Sequence, residues 1–318
     1  MKKLFALLIL LTSTLCFSQL VKPTYEGIVM QSATSDKFVY NPAQVINGNW
    51  FVYYSSANGV ELAYSRGGLN NFTTYSTNAP GGSIYYELDN GIPTMFATKH
   101  RWIPGQGICE SIFYKSIDAL NFNQIVTGSV DLSGEDRNLL YDNGIWKCYI
   151  RYQPSPRTIG FIESPDFVNW THIREILKPD SLDGHLKQFY HMSVIKTDQG
   201  YFGLLNVYRI GNNGQDTWQF PPYTSNEHTV DVQLVWSSDG VTNWQRLNNR
   251  KSFIDRDPEI EQLFGWWTLV SNEVYIYTTE SRRKHTDWEN DNKAGRYYFS
   301  RRFVIFLHHL YEYKENYN

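Results

Sequence analysis

The fold class this sequence predicts is all-β: a five-bladed β-propeller with four antiparallel strands per blade. Three observations predict it. A polar turn closed by an aromatic residue recurs four times along the 318 residues. The chain between the turns is dense in β-branched and aromatic residues, with aromatics making up 16 % of the whole. Helix-forming runs of Ala, Glu, Lys and Leu are scarce.

The turns begin at Ser65, Ser116, Ser164 and Ser237, and each has Gly67, Asp118, Asp166 or Asp239 two positions on. Each then reaches an Asn and an aromatic: Asn71-Phe72, Asn121-Phe122, Asn169-Trp170 and Asn243-Trp244. The intervals are about 50, 50 and 70 residues, room for four strands and their turns, which is one blade. Ser, Asp and Asn side chains bond their own backbone in tight turns, and Gly tolerates positive φ. The closing aromatic is a wedge that packs between neighbouring sheets.

In chain order, "MKKLFALLILLTSTLCFSQ" reads as a secretory signal over residues 1–18. It has a basic start, an apolar run too short to span a bilayer, and small residues before a cut at Gln19. A lipid anchor on Cys16 fits poorly, because Leu15 precedes it. Residues 19–318 then form one propeller domain, secreted or periplasmic. The first blade takes "AQVI", "NWFVYYSS", "VELAYS" and "FTTYS"; the second "SIYYEL", "PTMFATK", "ESIFYKS" and "FNQIVTG". The third takes "RNLLYD", "WKCYIRY", "TIGFIES" and "THIREIL"; the fourth "YHMSVIKT", "GYFGLLNVYR", "VDVQLVWSS" and "WQRL". "QLFGWWTLV", "EVYIYTTES", "RYYFSRRF" and "IFLHHLYEY" make the fifth, which lacks the Ser-Asp turn.

Composition excludes some functions. The formal charge is −3, with no basic stripe for nucleic acid. Beyond the signal only Cys109 and Cys148 remain, too few for a disulfide framework, so the core must supply stability. Neither paired-His spacing nor an Asp-rich calcium loop stands out, so no metal and no cofactor is expected. A monomer without a membrane span is expected.

Several stretches go further: "EDRNLLYDNGIWKCYIRY", "RTIGFIESPDFVNWTHIREILKPDSLD", "QFYHMSVIKTDQGYFGLLNVYR", "VQLVWSSDGVTNWQRLNNRKSFI" and "NEVYIYTTESRRKHT". In content and order these resemble the five-bladed glycoside hydrolases of the family 43 and family 32 kind. The resemblance covers about half the chain. It implies hydrolysis by two carboxylates across a central funnel, one protonating the leaving oxygen and the other attacking or activating water. Asp136 matches the acid such enzymes place at the start of the third inner strand, with Arg137 either a substrate clamp or the group that holds Asp136 ionised, and Glu135 the alternative one register away. These families begin with an Asp before a Pro, whereas this chain has Asn41 before Pro42. An amide is no general base, so Asn41 is expected to bind substrate, and a non-catalytic carbohydrate-binding propeller is the alternative.

Other candidate site residues come from position. Glu259 and Glu261, before the fifth inner strand, are expected on one strand face, where mutual repulsion lets one of them keep its proton longer and serve as the catalytic acid. Asp183 is a further catalytic candidate, with His185 and Tyr190 as substrate-binding residues in the loop before blade four. Arg283 and His285, beside Glu280 and Arg282, suggest an acidic or sulfated sugar. Trp102, Trp218, Trp266 and Trp267 could stack on sugar rings or fill the core.

Overall fold

The computed structural model describes residues 20–30, 38–39, 42–56, 59–66, 72–103, 108–125, 134–152, 156–183, 187–210, 228–257, 259–282 and 298–316. Among the described residues, antiparallel strands dominate the secondary structure. β2 (Phe38–Val39), β3 (Gln44–Ile46), β4 (Asn49–Ser56), β5 (Gly59–Ser65) and β6 (Thr73–Ser76) form the first sheet. β7 (Ile84–Asp89), β8 (Ile92–Ile103), β9 (Ile108–Ser116) and β10 (Asn123–Ile125) form the second. β11 (Gly134–Asp142), β12 (Ile145–Tyr152), β13 (Thr158–Ser164) and β14 (Arg174–Leu177) form the third.

The remaining strands belong to an eight-stranded sheet with two halves. One half is β15 (Lys187–Thr197), β16 (Gly200–Arg209), β17 (Val230–Ser237) and β18 (Gln245–Arg246). The other is β19 (Gln262–Val270), β20 (Glu273–Ser281), β21 (Ser300–Phe306) and, from the other end of the chain, β1 (Thr24–Met30). A single parallel pairing, Val230 with Gln262, joins the halves.

The last stretch departs from expectation. "IFLHHLYEY" supplies no fourth strand; it carries the end of β21 into helix α1 (Leu307–Glu315). Leu310 and Tyr313 stand three apart and are both buried, which is helical spacing rather than strand alternation. β1 takes the empty edge instead, pairing antiparallel with β21 from Thr24↔Val304 to Met30↔Ser300.

Apolar cores separate successive sheets. Tyr53 and Leu62 meet Ile84 and Met95; Phe96 and Phe113 meet Leu139 and Trp146. Tyr149 and Phe161 meet Phe189 and Val207; Phe202 and Leu234 meet Leu263 and Ile276. A further core joins Tyr277 of the last half-sheet to Val39, Trp50 and Val52 of the first sheet. Each fully buried side chain of this size is worth about 1.5–3 kcal/mol over exposure.

The Ser-x-Asp turns recur in shape as well as in sequence. In the second sheet Ser116 Oγ donates to Asp118 at 2.8 Å, and the backbone N–H of Leu120 and Asn121 donate to the same carboxylate oxygen. Ser164–Asp166 and Ser237–Asp239 repeat the pattern. The Asn side chain closes the first two turns (Asn121, Asn169), but Thr242 rather than Asn243 closes the third, its hydroxyl donating to Asp239 at 2.6 Å. The residue after each Asp is left-handed: Ala119 at φ 63°, Phe167 at φ 63° and Gly240 at φ 74°. A Cβ on Gly240 would meet the Tyr201 ring at 2.8 Å, so both conformation and space require glycine there. The turn at Ser65 continues into residues outside those described.

The aromatic wedges behave as their placement predicts, each packing on the preceding sheet. Phe122 meets Tyr53 edge-on at 5.9 Å, Trp170 stacks on Phe113 at 4.8 Å, and Trp244 meets Tyr149 at 6.1 Å.

A second set of contacts holds the inner edges. The first strand of each four-stranded unit exposes unpaired backbone groups along one edge, and these need partners. Side chains of the preceding unit supply them. Gln44 Nε2 donates to the Ile84 carbonyl at 3.1 Å while its Oε1 accepts from Tyr86 N at 3.0 Å. Leu139 N donates to Ser83 Oγ, Val194 N to Asn138 Oδ1, and Trp267 N to Ser193 Oγ. Val39 N donates to Ser300 Oγ and its carbonyl accepts from Thr279. Each of these buried polar residues thus has a partner across the inner edge, although Asn138 Nδ2 finds none among the described residues.

Candidate active site

Strands of all five units also meet around one cavity. This cavity of about 360 Å³ is walled by residues of β3, β7, β11, β15 and β19, among them Gln44, Tyr85, Asn138, Val194 and Trp267. At the strand ends it reaches Asp142, which accepts from Lys196 at 2.6 Å and from Lys147 at 3.0 Å, with the Tyr201 hydroxyl beside it. Burial opposes ionisation there, yet Lys196, Tyr201 and Lys147 together hold the Asp142 pKa down to about 2. That end is a closed ion-pair cluster.

The strand-start end is built differently. β11 opens at Gly134, where a Cβ would stand 2.6 Å from the Arg151 carbonyl, so only glycine lets the strands approach. Register then slips: Glu135 pairs with Arg151 and Arg137 with Ile150, leaving Asp136 as the extra residue of a β-bulge. Arg137 is buried, and its Nη2 reaches back to the Gly134 carbonyl at 2.6 Å. The next inner strand repeats the device. Phe189 pairs with Val207 and His191 with Asn206, leaving Tyr190 as the bulged residue of β15. Bulges bend a strand and re-aim a side chain, and they gather at active sites.

Around the second bulge lies an arginine-rich wall. The Tyr190 ring is buried, packs on Tyr208 at 4.7 Å, and has the guanidinium carbons of Arg151 and Arg157 at 4.5 and 5.0 Å from its centre. Arg157 donates to Gln188 Oε1 at 2.6 Å, and Tyr208 hydrogen-bonds His228 Nδ1 at 2.8 Å. Behind it Arg209 pairs with buried Asp231, and Lys187 stands 3.9 Å from Asp183. Burial, followed by repulsion from Arg209, pushes the Lys187 pKa down. Burial lowers that of Arg256 too, again with Arg209 repelling it. Positive charge is crowded at this end.

The histidine nearest the bulge is not an acid. His191 is buried, and its Nδ1 accepts from Asn206 Nδ2 at 3.0 Å, which fixes the tautomer. Asn206 in turn accepts from Gly265 N at 2.8 Å. Burial depresses the His191 pKa to about 3.

The candidate residues named from sequence fall in separate places. The Asp183 carboxylate is buried: Oδ2 accepts from Arg246 at 2.9 Å and Arg250 at 3.0 Å, so it ties a loop to β18 and the turn that follows it. Glu259 and Glu261 precede β19 rather than lying in it, so strand alternation does not put them on one face. Glu259 is 73 % exposed, 3.3 Å from Arg282. Glu261 is half-buried, its backbone held by Ser281, Val230 and the Arg256 side chain. Its carboxylate makes no ion pair among the described residues.

Glu280 is buried against Arg301, and burial raises its pKa. Trp266 and Trp267 are buried core residues. Tyr190 lies in a strand, not a loop. Asn41, His185, Trp218, Arg283, His285 and the side chains of Trp102, Cys109, Glu135 and Asp136 lie outside those described. Cys148 is a buried free thiol.

Sequence reasoning missed Arg151, Arg157 and the Arg209–Asp231 pair. For Arg151 and Arg209 the available signal was an arginine inside apolar strands ("CYIRY", "NVYR"), where a charge needs a purpose; Arg157, just before a strand, gave none. Among the described residues no helix is long and apolar enough to cross a membrane.

No family model matches the chain, and no curated protein is similar to it. Solved structures are. A glycoside hydrolase superposes at TM-score 0.61, with 10% identity over 89% of this chain and 92% of its own. A thermostable family-43 glycoside hydrolase gives 0.59, with 12% identity over 88% and 91%. The Bombyx mori GH32 beta-fructofuranosidase gives 0.53, with 11% identity over 88% of this chain and 61% of that one, so the chain spans about three fifths of it. The chain has the fold of the family 43 and family 32 glycoside hydrolases.

Proposed function

We propose that the protein is an exported glycoside hydrolase, a five-bladed propeller that cuts its substrate at the strand-start mouth of the central channel. The observation that carries this is the pair of β-bulges, at Asp136 and Tyr190, on neighbouring inner strands of one channel. The five-blade reading rests on five inner strands around one cavity, five intervening cores, and β1 completing the last sheet. Glycosidic hydrolysis needs two carboxylates facing the scissile bond. Asp136 takes one role. Glu261 takes the other, because Asp183, Asp231 and Glu280 are each held by arginine and Glu259 faces solvent. Arg137 holds the first bulge, and Tyr190, its ring buried between Tyr208 and two guanidiniums, braces the second.

The arginine wall favours an acidic or sulfated saccharide. Arg151 and Arg157 cover the Tyr190 ring at the second bulge, and Arg209 lies close enough to repel Lys187 and Arg256, in a chain whose net charge is −3. A guanidinium fork suits a carboxylate or sulfate. Such attraction weakens with salt.

The test is release of reducing ends from a panel of neutral polysaccharides (xylan, arabinan, levan) and anionic ones (polygalacturonate, chondroitin sulfate). Cutting of an anionic member, slowed by salt, is the expected result. Cutting of neutral members alone retains the hydrolase and removes the acidic substrate. Saturable binding with no release makes the protein a carbohydrate-binding propeller instead.

A further inference from the structure

We propose that His308, His309 and Glu312 form a binding site for a divalent transition-metal ion on the first turns of α1. Their ligand atoms lie within 4.8 Å of one another, the one such group of three among the described residues. The spacing is what a helix needs for chelation. His308 and Glu312 are four apart and His309 and Glu312 three apart, the two separations that place side chains on one helical face.

His309 Nδ1 and Glu312 Oε2 already stand 3.3 Å apart. Ligands bound about 2.0–2.2 Å from a tetrahedral ion are separated by about that much. The two imidazole rings lie 4.0 Å apart between centroids, so a side-chain rotation at exposed His308 brings the third ligand in. Two imidazoles and one carboxylate suit zinc, nickel or copper and not calcium or magnesium, which prefer oxygen. Three protein ligands leave a coordination position open. His308 also borders a cleft of about 710 Å³ shared with Lys196, Asp198 and Asn272, so that position faces solvent.

The helix gives the site something to do. No side chain caps its N-terminus at Phe306, so its first turn lacks the usual closure. A metal chelated across that turn supplies one. The positive end of the helix dipole opposes a cation there, but this is a weak effect beside coordination. Further along, Tyr313 donates to the Val21 carbonyl at 3.2 Å and Lys314 to Gln199 at 3.2 Å. α1 therefore ties the N-terminal segment to the β15–β16 turn, and an ion on its first turn stiffens that tie. The site lies on β21's side of the molecule, in a helix that contributes nothing to the channel mouth, so it does not depend on the proposed hydrolysis.

The test titrates Zn²⁺, with Ca²⁺ as control, into the secreted chain by calorimetry and follows thermal unfolding. One Zn²⁺ should bind saturably and raise the melting temperature, with no response to Ca²⁺. The His308→Ala/His309→Ala double variant should lose both effects. Glu312→Gln, which keeps the helix intact, should bind Zn²⁺ at least about 10-fold weaker, since losing even an outer-shell partner costs about that much. Absence of saturable Zn²⁺ binding overturns the proposal. So does unchanged affinity in Glu312→Gln or in a double variant that melts like wild type without metal.

Discussion

His191 lies beside the Tyr190 bulge, and its burial, with a pKa near 3, makes a claim that can be read directly. An unfolded histidine titrates near 6.5. Between about pH 3 and 6.5 the unfolded chain therefore holds a proton that the folded chain does not, and stability falls as pH drops through that window. Histidine side-chain NMR should show the His191 resonances flat from pH 8 to pH 5; a titration near 6.5 contradicts its placement. Arg157 tests recognition rather than stability. Arg157→Ala should raise KM for an anionic substrate by about 10-fold or more, the worth of one charged hydrogen bond, and leave kcat for a neutral one unchanged. Asp136 and Tyr190 were singled out in the sequence because both lie near the start of a recognisable strand. Arg151 and Arg157 were not, since the ring they cover belongs to another sheet. Asp183 read as a site residue for the same reason in reverse: its partners Arg246 and Arg250 are 63 and 67 residues away.

The Ser-x-Asp turn is the element whose energetics follow most directly from its sequence. Asp118 and Asp166 accept from the backbone N–H and side chain of Asn121 and Asn169, which hold both carboxyls far below the usual range. At Asp239 burial opposes ionisation, but the Thr242 hydroxyl and backbone prevail in the same direction. Depressed carboxyl pKa values stabilise the fold above the unfolded value near 3.9, and that stability is lost as pH falls below it. Asp166→Ala should cost about 1–3 kcal/mol at pH 7 by thermal or urea unfolding, and the cost should shrink steadily as pH falls below about 4. Ala119→Gly should be neutral or stabilising by up to about 1 kcal/mol, because Ala119 carries φ 63° that glycine adopts freely. Phe167 shares the angle but is buried among Phe96, Phe113 and Trp146, so Phe167→Gly should cost several kcal/mol. The turns could be read because they are local. The end of the chain could not: β-rich composition favoured a strand over Leu307–Glu315, and only the pairing of β1 with β21 frees that segment to be helical.

At the scale of the whole molecule, the two chain ends complete one sheet, and side chains such as Gln44, Ser83 and Asn138 satisfy the inner edges. Removing residues 19–30 should lower the melting temperature and expose the β21 edge, seen as concentration-dependent light scattering. An unchanged melting temperature would mean that β1 does not close the molecule. The repeat spacing foretold sheets of this kind, because it records how much chain one unit uses. It could not tell which carboxylates face the channel, since that depends on register at two bulges. The claim that Asp136 works there is tested most directly by comparing kcat/KM for wild type and Asp136→Asn on whichever polysaccharide the wild type cuts. A fall of about 10²–10⁴-fold with unchanged melting temperature is the predicted result, the usual worth of a general acid or base. Equal rates in the two proteins would contradict the account.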